Sequence, residues 1–381
     1  MPAMRATARR PLLIHRVEAI PVSVPLVKPV LMGGGQRFDC SETLIVRATT
    51  RDGLTGWGEA SAAPTMTGDT LAGMVSAVEH HLAPALIGEN ALNLSLLARK
   101  LSRTIIGNTG AKAACDIALH DLAGKYLGVP VVQLLGGKAR ETVLVQLQLG
   151  NPDIKQDIAE ARAKWKQGYR FFKLKIGVKP VAAEIAAALA IRKTLGPTAA
   201  LCADANMGMS HGDARAYVSG AAAAKLLFVE QPLRDNDLAG MQALSRASPI
   251  PLCADESLHS VESILECHRL GAIAGVNLKT IKLGGIAETC RAAAVSDALG
   301  LAVDLASKTG ESSIAAAALT HIGYAIPNLD WGININNHYL ATDLVRVPLK
   351  QQGGSVACPG GPGLGVEVNE SAIQKFRVKR L

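Results

Sequence analysis

Six charged residues recur along the second half of the chain at a nearly constant interval: Lys173 and Lys175, then Asp204, Glu230, Asp255 and Lys279. From Lys175 onward the steps are 29, 26, 25 and 24 residues. Each member closes a short apolar run, so each falls where a strand would end. A lone aspartate in such a place is most often a helix N-cap. A whole series at one period is not explained that way. Three carboxylates on adjacent strands repel one another unless a cation neutralises them. The all-oxygen set of Asp204, Glu230 and Asp255 favours Mg²⁺, with Mn²⁺ as a substitute. Lys173 and Lys175 are two apart and share one strand face. Lysines on strands flanking the trio would face each other across whatever ligand the cation holds.

The elements that must position these residues are legible as repeating texture. Apolar runs occur at Val143–Leu149, Phe171–Ile176, Ala200–Ala205, Leu226–Glu230, Ile250–Ala254, Gly275–Ile281 and Leu301–Ala306, with a weaker eighth at Leu329–Gly332. Ala-rich helical stretches separate them. A period of about 25 residues fits one strand, one helix and two loops, and seven or eight such units imply a parallel barrel. No GxGxxG follows the first strand, which disfavours a doubly wound sheet. Residues 1–138 read as a separate α+β unit. It holds β-rich residues 12–60 with a Gly33-Gly34-Gly35 loop, a hairpin around Asp52-Gly53, then a helical stretch ending at Gly128-Val129-Pro130. Residues 139–345 form the barrel, and the Gly- and Pro-rich residues 346–381 pack back on the first unit.

Composition removes several classes of function. At 49% hydrophobic residues the chain has ample material for a core, and at 3% aromatics it lacks stacking platforms for single-stranded nucleic acid. The net charge of +8 equals the surplus carried by Arg5, Arg9, Arg10 and Arg16 near one end and Lys375, Arg377, Lys379 and Arg380 near the other. The body is therefore formally neutral, and no nucleic-acid partner is expected. Seven scattered cysteines without a CxxC pair fit reduced thiols in a cytoplasmic protein. No uncharged apolar run of about 18 residues exists, so no membrane span is expected.

Phe172-Lys173-Leu174-Lys175-Ile176-Gly177, the Asp204/Glu230/Asp255 trio and Asn277-Leu278-Lys279-Thr280-Ile281-Lys282-Leu283-Gly284-Gly285 together resemble the enolase superfamily, and within it the muconate-lactonising (muconate cycloisomerase) subgroup. Gly56-Trp57-Gly58-Glu59-Ala60, Leu127-Gly128-Val129-Pro130, Leu135-Gly136-Gly137 and Pro362-Gly363-Leu364-Gly365 look like its other landmarks, so the resemblance covers nearly the whole chain. It implies an α/β fold, a (β/α)7β TIM-like barrel with an N-terminal capping domain. It also implies a Mg²⁺-dependent isomerase that forms an enolate beside a carboxylate, a chemistry for which this superfamily is a standard example. By the same resemblance Asp204, Glu230 and Asp255 hold the metal, Lys175 is the acid/base, Lys173 assists it electrostatically, and Lys279 stands on the opposite face. Asn206 and Glu256 fall beside the ligands. The implied substrate is a small carboxylate and the implied assembly a homo-oligomer, dimer or octamer.

Substrate identity stays open at this point. Muconate cycloisomerases carry a glutamate where this chain has Asn334, and the Asp-x-Asp of dipeptide epimerases is absent there. The loops at Met32–Arg37 and Pro64–Asp69 differ from the muconate pattern, and no His-Asp pair of the mandelate-racemase kind is evident. Cycloisomerisation of a muconate-type dicarboxylate leads; a racemase or epimerase of N-acyl or other amino-acid derivatives, or a dehydratase, could use the same two lysines. Lys308 either binds a second anionic group or is a solvated loop lysine. Lys282 reads as a solvated lysine at a helix start.

Overall fold

The structure is a computed structural model that describes residues 11–31 and 37–380. The Gly33-Gly34-Gly35 loop, most of the Met32–Arg37 stretch, and Arg5, Arg9 and Arg10 lie outside the described residues. Three antiparallel strands open the chain: β1 (Ile14–Leu31), β2 (Arg37–Thr50) and β3 (Thr55–Ser61). The β2–β3 hairpin turns at Asp52-Gly53, where Gly53 takes φ +87°. Against this sheet lies the helix Thr109–Leu127, buried from Gly110 to Gly124. Contact between sheet and helix is backbone to backbone. A Cβ on Gly58 would stand 2.0 Å from the Ala114 carbonyl oxygen, and one on Gly56 2.2 Å from that of Ala118. The helix ends on Gly128 at φ +72°, the anticipated stop.

Eight parallel strands follow: β4 (Gln146–Leu149), β5 (Phe171–Lys175), β6 (Ala200–Asp204), β7 (Val229–Glu230), β8 (Leu252–Ala254), β9 (Gly275–Leu278), β10 (Ala302–Ala306) and β11 (Ile333–Asn334). Consecutive strands are hydrogen-bonded neighbours, and a parallel bridge from Val145 to Ile333 brings the last to the first. Helical crossovers fill each of the seven intervals, giving the (β/α)7β barrel. The eighth strand is Ile333–Asn334, not Leu329–Gly332. Two local facts displace it. Gly332 sits at φ +74°, outside strand geometry, and Trp331 is diverted into the barrel floor. There its ring stacks on Phe228 at 4.1 Å between centroids, in a layer with Phe171, Cys202 and Cys253. All seven cysteines are free, and no described helix is long and apolar enough to cross a membrane.

Buried carboxylates fasten the N-terminal unit to the barrel. Glu59 on β3 accepts from Ser312 Oγ at 2.5 Å, Ser312 N at 2.9 Å and Ala315 N at 3.1 Å, so it caps the barrel helix Ser313–Ala325 from another unit. Asp116 accepts from Ile286 N at 2.6 Å, at the start of the helix Ile286–Ala298. Asp121 takes Trp57 N at 2.9 Å and Leu364 N at 2.8 Å, which draws the C-terminal segment onto the same helix. That segment then reaches β1, where Val378 N donates to Pro21 O at 2.9 Å.

His321 marks the junction of all three parts. Its Nε2 donates to Leu364 O at 3.1 Å, and its Nδ1 accepts from Val132 N at 3.3 Å, a pairing open only to the neutral ring. Burial pushes its pKa down to about 4. The unfolded chain takes up a proton near about 6.5, so the unfolded state binds more protons in this window. Stability therefore falls as pH drops from about 6.5 to about 4, by about 3 kcal/mol in all. His321→Gln is expected to flatten that slope in urea midpoints measured across the window. Parallel profiles for variant and wild type would mean that the imidazole titrates as it does in water.

Candidate active site at the barrel mouth

Alternation along parallel strands turns every second residue into the barrel, and the ladder register sets these at matching heights. Lys175 lies opposite Asp204, and Asp204 opposite Glu230. Lys173 points inward one step deeper on β5. Lys175 Nζ donates to Asp204 Oδ2 at 2.5 Å and to Asn206 Oδ1 at 2.8 Å. Asn206 relays the contact through its Nδ2 to Glu256 Oε1 at 3.1 Å. Below them Lys173 bridges Glu230 at 2.6 Å and Asp304 at 3.1 Å. Lys279 meets Asp255 on the other side. In an eight-stranded ring β5 and β9 are four strands apart, so Lys175 and Lys279 approach the cluster from opposite sides.

Lys282 corrects the sequence reading. It is fully buried, and its ammonium donates to Asp255 Oδ1 at 2.5 Å, Asp255 O at 2.6 Å and Asn277 O at 2.9 Å. The short helix Thr280–Leu283 starts directly at the strand end, which turns this lysine inward beneath Asp255 rather than out to water. Three further members went unread. Asp304 sits mid-strand in an otherwise apolar run, and a lone charge inside such a run is the signal that could find it. Asn277 donates to Glu230 Oε1 at 2.6 Å. Gln231, held at φ +33°, accepts from Asp255 N at 2.9 Å and braces the next strand end.

A cavity of about 630 Å³ opens beside the ring, beneath the N-terminal unit. Leu26, Phe38 and Met66 roof it, while Asn206, Glu256 and Lys308 lie on the barrel side. Asn334 does not line it. That residue lies in a separate crevice with Gln148 and Asn336, in a neutral amide network: Gln148 Nε2 donates to Asn334 Oδ1 at 3.0 Å, and Asn336 Nδ2 donates to the same oxygen at 2.7 Å.

Electrostatics follow from burial set against pairing. Burial alone would raise the Asp204 and Asp255 carboxyls, but their lysine partners outweigh it and hold both below the usual range. Burial and the charge of Asp204 raise Glu230. Burial pushes Asp304 up to about 7 in spite of Lys173, and burial with the charge of Asp255 pushes Glu256 up to about 8. Among the described residues, no three Asp, Glu, His or Cys side chains converge closely enough to hold a metal ion. Asp204, Glu230 and Asp255 instead turn oxygens to Lys175, Lys173 and Lys279. The donor chemistry nevertheless suits a hard divalent cation, with three buried carboxylates at adjacent strand ends. Glu256 Oε2, buried beside them, has no hydrogen-bond partner, so the cluster has use for more positive charge.

Residues 16–136 match the mandelate racemase / muconate lactonizing enzyme N-terminal domain, and residues 156–372 the enolase C-terminal domain-like family. The chain belongs to the mandelate racemase / muconate lactonizing enzyme family. It is an isomerase of the enolase superfamily. Its sequence is 32% identical to muconate cycloisomerase 1 of Pseudomonas putida over 96% of this chain and 98% of that one. It is also 31% identical to an L-Ala-D/L-Glu epimerase of Bacillus subtilis, over 93% and 96%. Among solved structures, the muconate lactonizing enzyme of Pseudomonas fluorescens complexed with muconolactone superposes with TM-score 0.91 at 30% identity, covering 97% of this chain and all of that one. A muconate cycloisomerase-like member of the family is the description on which sequence and shape agree.

Within this family member Lys282 is predicted to be structural as well as electrostatic. Lys282→Met removes one of the two buried ammonium partners of Asp255 and leaves Lys279, so the expected cost is about 2 kcal/mol, below that of a fully broken buried pair. Chemical denaturation measures it, and a loss under about 0.5 kcal/mol would return Lys282 to the class of solvated lysines.

Proposed function

We propose that the chain catalyses a muconate-type cycloisomerisation: ring closure of a dicarboxylate to a lactone through an enolate. The observation that carries this is the pair of lysines, Lys175 and Lys279, set across the barrel axis on either side of the carboxylate trio. Asp204, Glu230 and Asp255 would hold Mg²⁺ or Mn²⁺. When bound, that ion supplies positive charge where a carboxylate gains its second negative charge, which favours the transition state over the ground state.

The chain's own residues account for the remaining steps. In lactonisation one substrate carboxylate oxygen adds to the conjugated double bond, and the electron pair moves onto the other carboxylate as an enolate. Lys175 then delivers a proton to the enolate carbon. Its side chain is about a quarter exposed and reaches toward Asn206 at the cavity edge. Lys279 is buried against Asp255 and acts as a fixed positive charge beside the developing anion. Lys173, held by Glu230 and Asp304, adds a second fixed charge below Lys175. The dianion thus becomes a lactone monocarboxylate with one proton gained, and Lys175 recovers that proton from solvent at the cavity edge.

A second reading, racemisation or epimerisation of an amino-acid derivative, draws on the same two lysines. The 31% identity to an L-Ala-D/L-Glu epimerase of Bacillus subtilis supports it. The two reactions separate cleanly. Muconate loses its diene absorbance on ring closure, whereas a racemase exchanges an α-proton with D₂O and keeps the skeleton.

Two outcomes are expected. Chelation by EDTA abolishes turnover, and Mg²⁺ or Mn²⁺ restores it; full activity after exhaustive chelation would sink the proposal. Lys175→Ala lowers kcat by roughly 10³-fold or more, while Lys279→Ala loses roughly 10²-fold and leaves a measurable remainder, since a stabilising charge is more replaceable than a positioned acid. Wild-type rates in both variants would remove the lysines from the mechanism.

A further inference from the structure

Lys308 stands just past the end of β10, half-buried on the wall of the large cavity. Its ammonium has no hydrogen bond or ion pair among the described residues. It rests instead over the face of Phe38, 5.4 Å from the ring centroid. Burial lowers its pKa, while Glu311 and Glu42 lie near enough to favour its charge. An ammonium withdrawn from water without a carboxylate partner is costly, and an aromatic face repays only part of that cost. The position is nonetheless firmly built. Lys308 N donates to Glu311 Oε2 at 3.0 Å, and Glu311 Oε1 in turn accepts from Ser61 N at 3.3 Å on β3. Barrel and cap together fix this backbone, so the side chain is held at the cavity by structure on both sides.

Height along the barrel indicates what it would meet. Leu278 faces Leu305 across the β9–β10 ladder, so Lys279 is level with Ala306 and Lys308 stands two residues nearer the cap. At ~3.3 Å per extended residue, on strands tilted by about 40° to the barrel axis, that is roughly 5 Å nearer the cap. The cavity around Lys308 is largely apolar, lined by Leu26, Phe38, Met66 and Met207. Arg234 adds a second cation at the rim.

We propose that Lys308 is the docking point for the second anionic group of the substrate, which makes the preferred substrate a dicarboxylate rather than a monocarboxylate. One carboxylate lies at the Asp204/Glu230/Asp255 cluster and an apolar body lies along the wall. The other carboxylate pairs with Lys308 and replaces its missing partner. This rests on the function proposed above for the reacting end, and it names the residue that reads the far end.

Adipate and hexanoate are suitable probes because they have the same length, differ in the far carboxylate and do not react. Calorimetric titration of the Mg²⁺-loaded protein should show adipate binding at least tenfold tighter than hexanoate. Lys308→Met should abolish that difference by weakening adipate alone, and Lys308→Arg should keep most of it. Thermal midpoints of the variants identify any loss that comes from misfolding, and the unchanged hexanoate affinity serves as an internal control. If Lys308→Met retains the wild-type preference for adipate, or if wild type shows none, the inference is overturned. Should the preference depend on Lys308 while the enzyme neither lactonises muconate nor exchanges α-protons in D₂O, the docking role stands and the proposed reaction falls.

Discussion

A carboxylate taken out of water is tolerable only beside positive charge, and this barrel gathers Asp204, Glu230, Asp255, Glu256 and Asp304 within its mouth. Much of the local architecture follows from that constraint. Lys173, Lys175, Lys279 and Lys282 are distributed so that Asp204, Glu230, Asp255 and Asp304 each have an ammonium in contact. Asp255 has two, one from the mouth and one from beneath, and they hold its carboxyl below the usual range in spite of burial. Glu256 has none, and its raised pKa and idle oxygen are the residue of the same arithmetic. Neutral amides finish the job where no charge is needed, with Asn277 on Glu230 and Gln231 on the backbone of Asp255.

How much of this could be read in advance depended on how local the cause was. Strand ends were legible because burial of alternate residues forces a charge to appear where the strand leaves the core. The helix stop at Gly128 and the turn at Gly53 were legible because a positive φ admits few other residues. Lys282 was not, since the same spacing on an ordinary surface helix would point it at solvent; its inward turn depends on where the preceding strand places Asp255. The last strand slipped by four residues because the fate of Trp331 was decided by Phe228, about a hundred positions earlier. Asp304 was concealed by its own neighbours, whose apolar character set the expectation for the run.

The N-terminal unit is tied to the barrel by polar groups rather than by apolar contact alone. Glu59, Asp116 and Asp121 satisfy donors that helix starts and chain reversals would otherwise leave exposed in the interior. Gly56 and Gly58 remove the last layer of side chains between β3 and its helix. A joint of this kind transmits position. The backbone of Lys308 hangs from Glu311, which hangs from Ser61, so part of the cavity wall is surveyed from the cap.

The cavity itself has a divided ancestry along the chain. Its apolar roof comes from residues before position 70, whereas every group placed at the reacting level comes after position 170. Mutations that reshape what fits beneath the roof need not disturb the carboxylates and lysines beneath, because the two are written in different stretches of the gene. The Lys308 stretch is tied to both. A lineage can thus drift among acceptable molecules while its proton chemistry stands still, and diversity of diet becomes the expected history of such a scaffold.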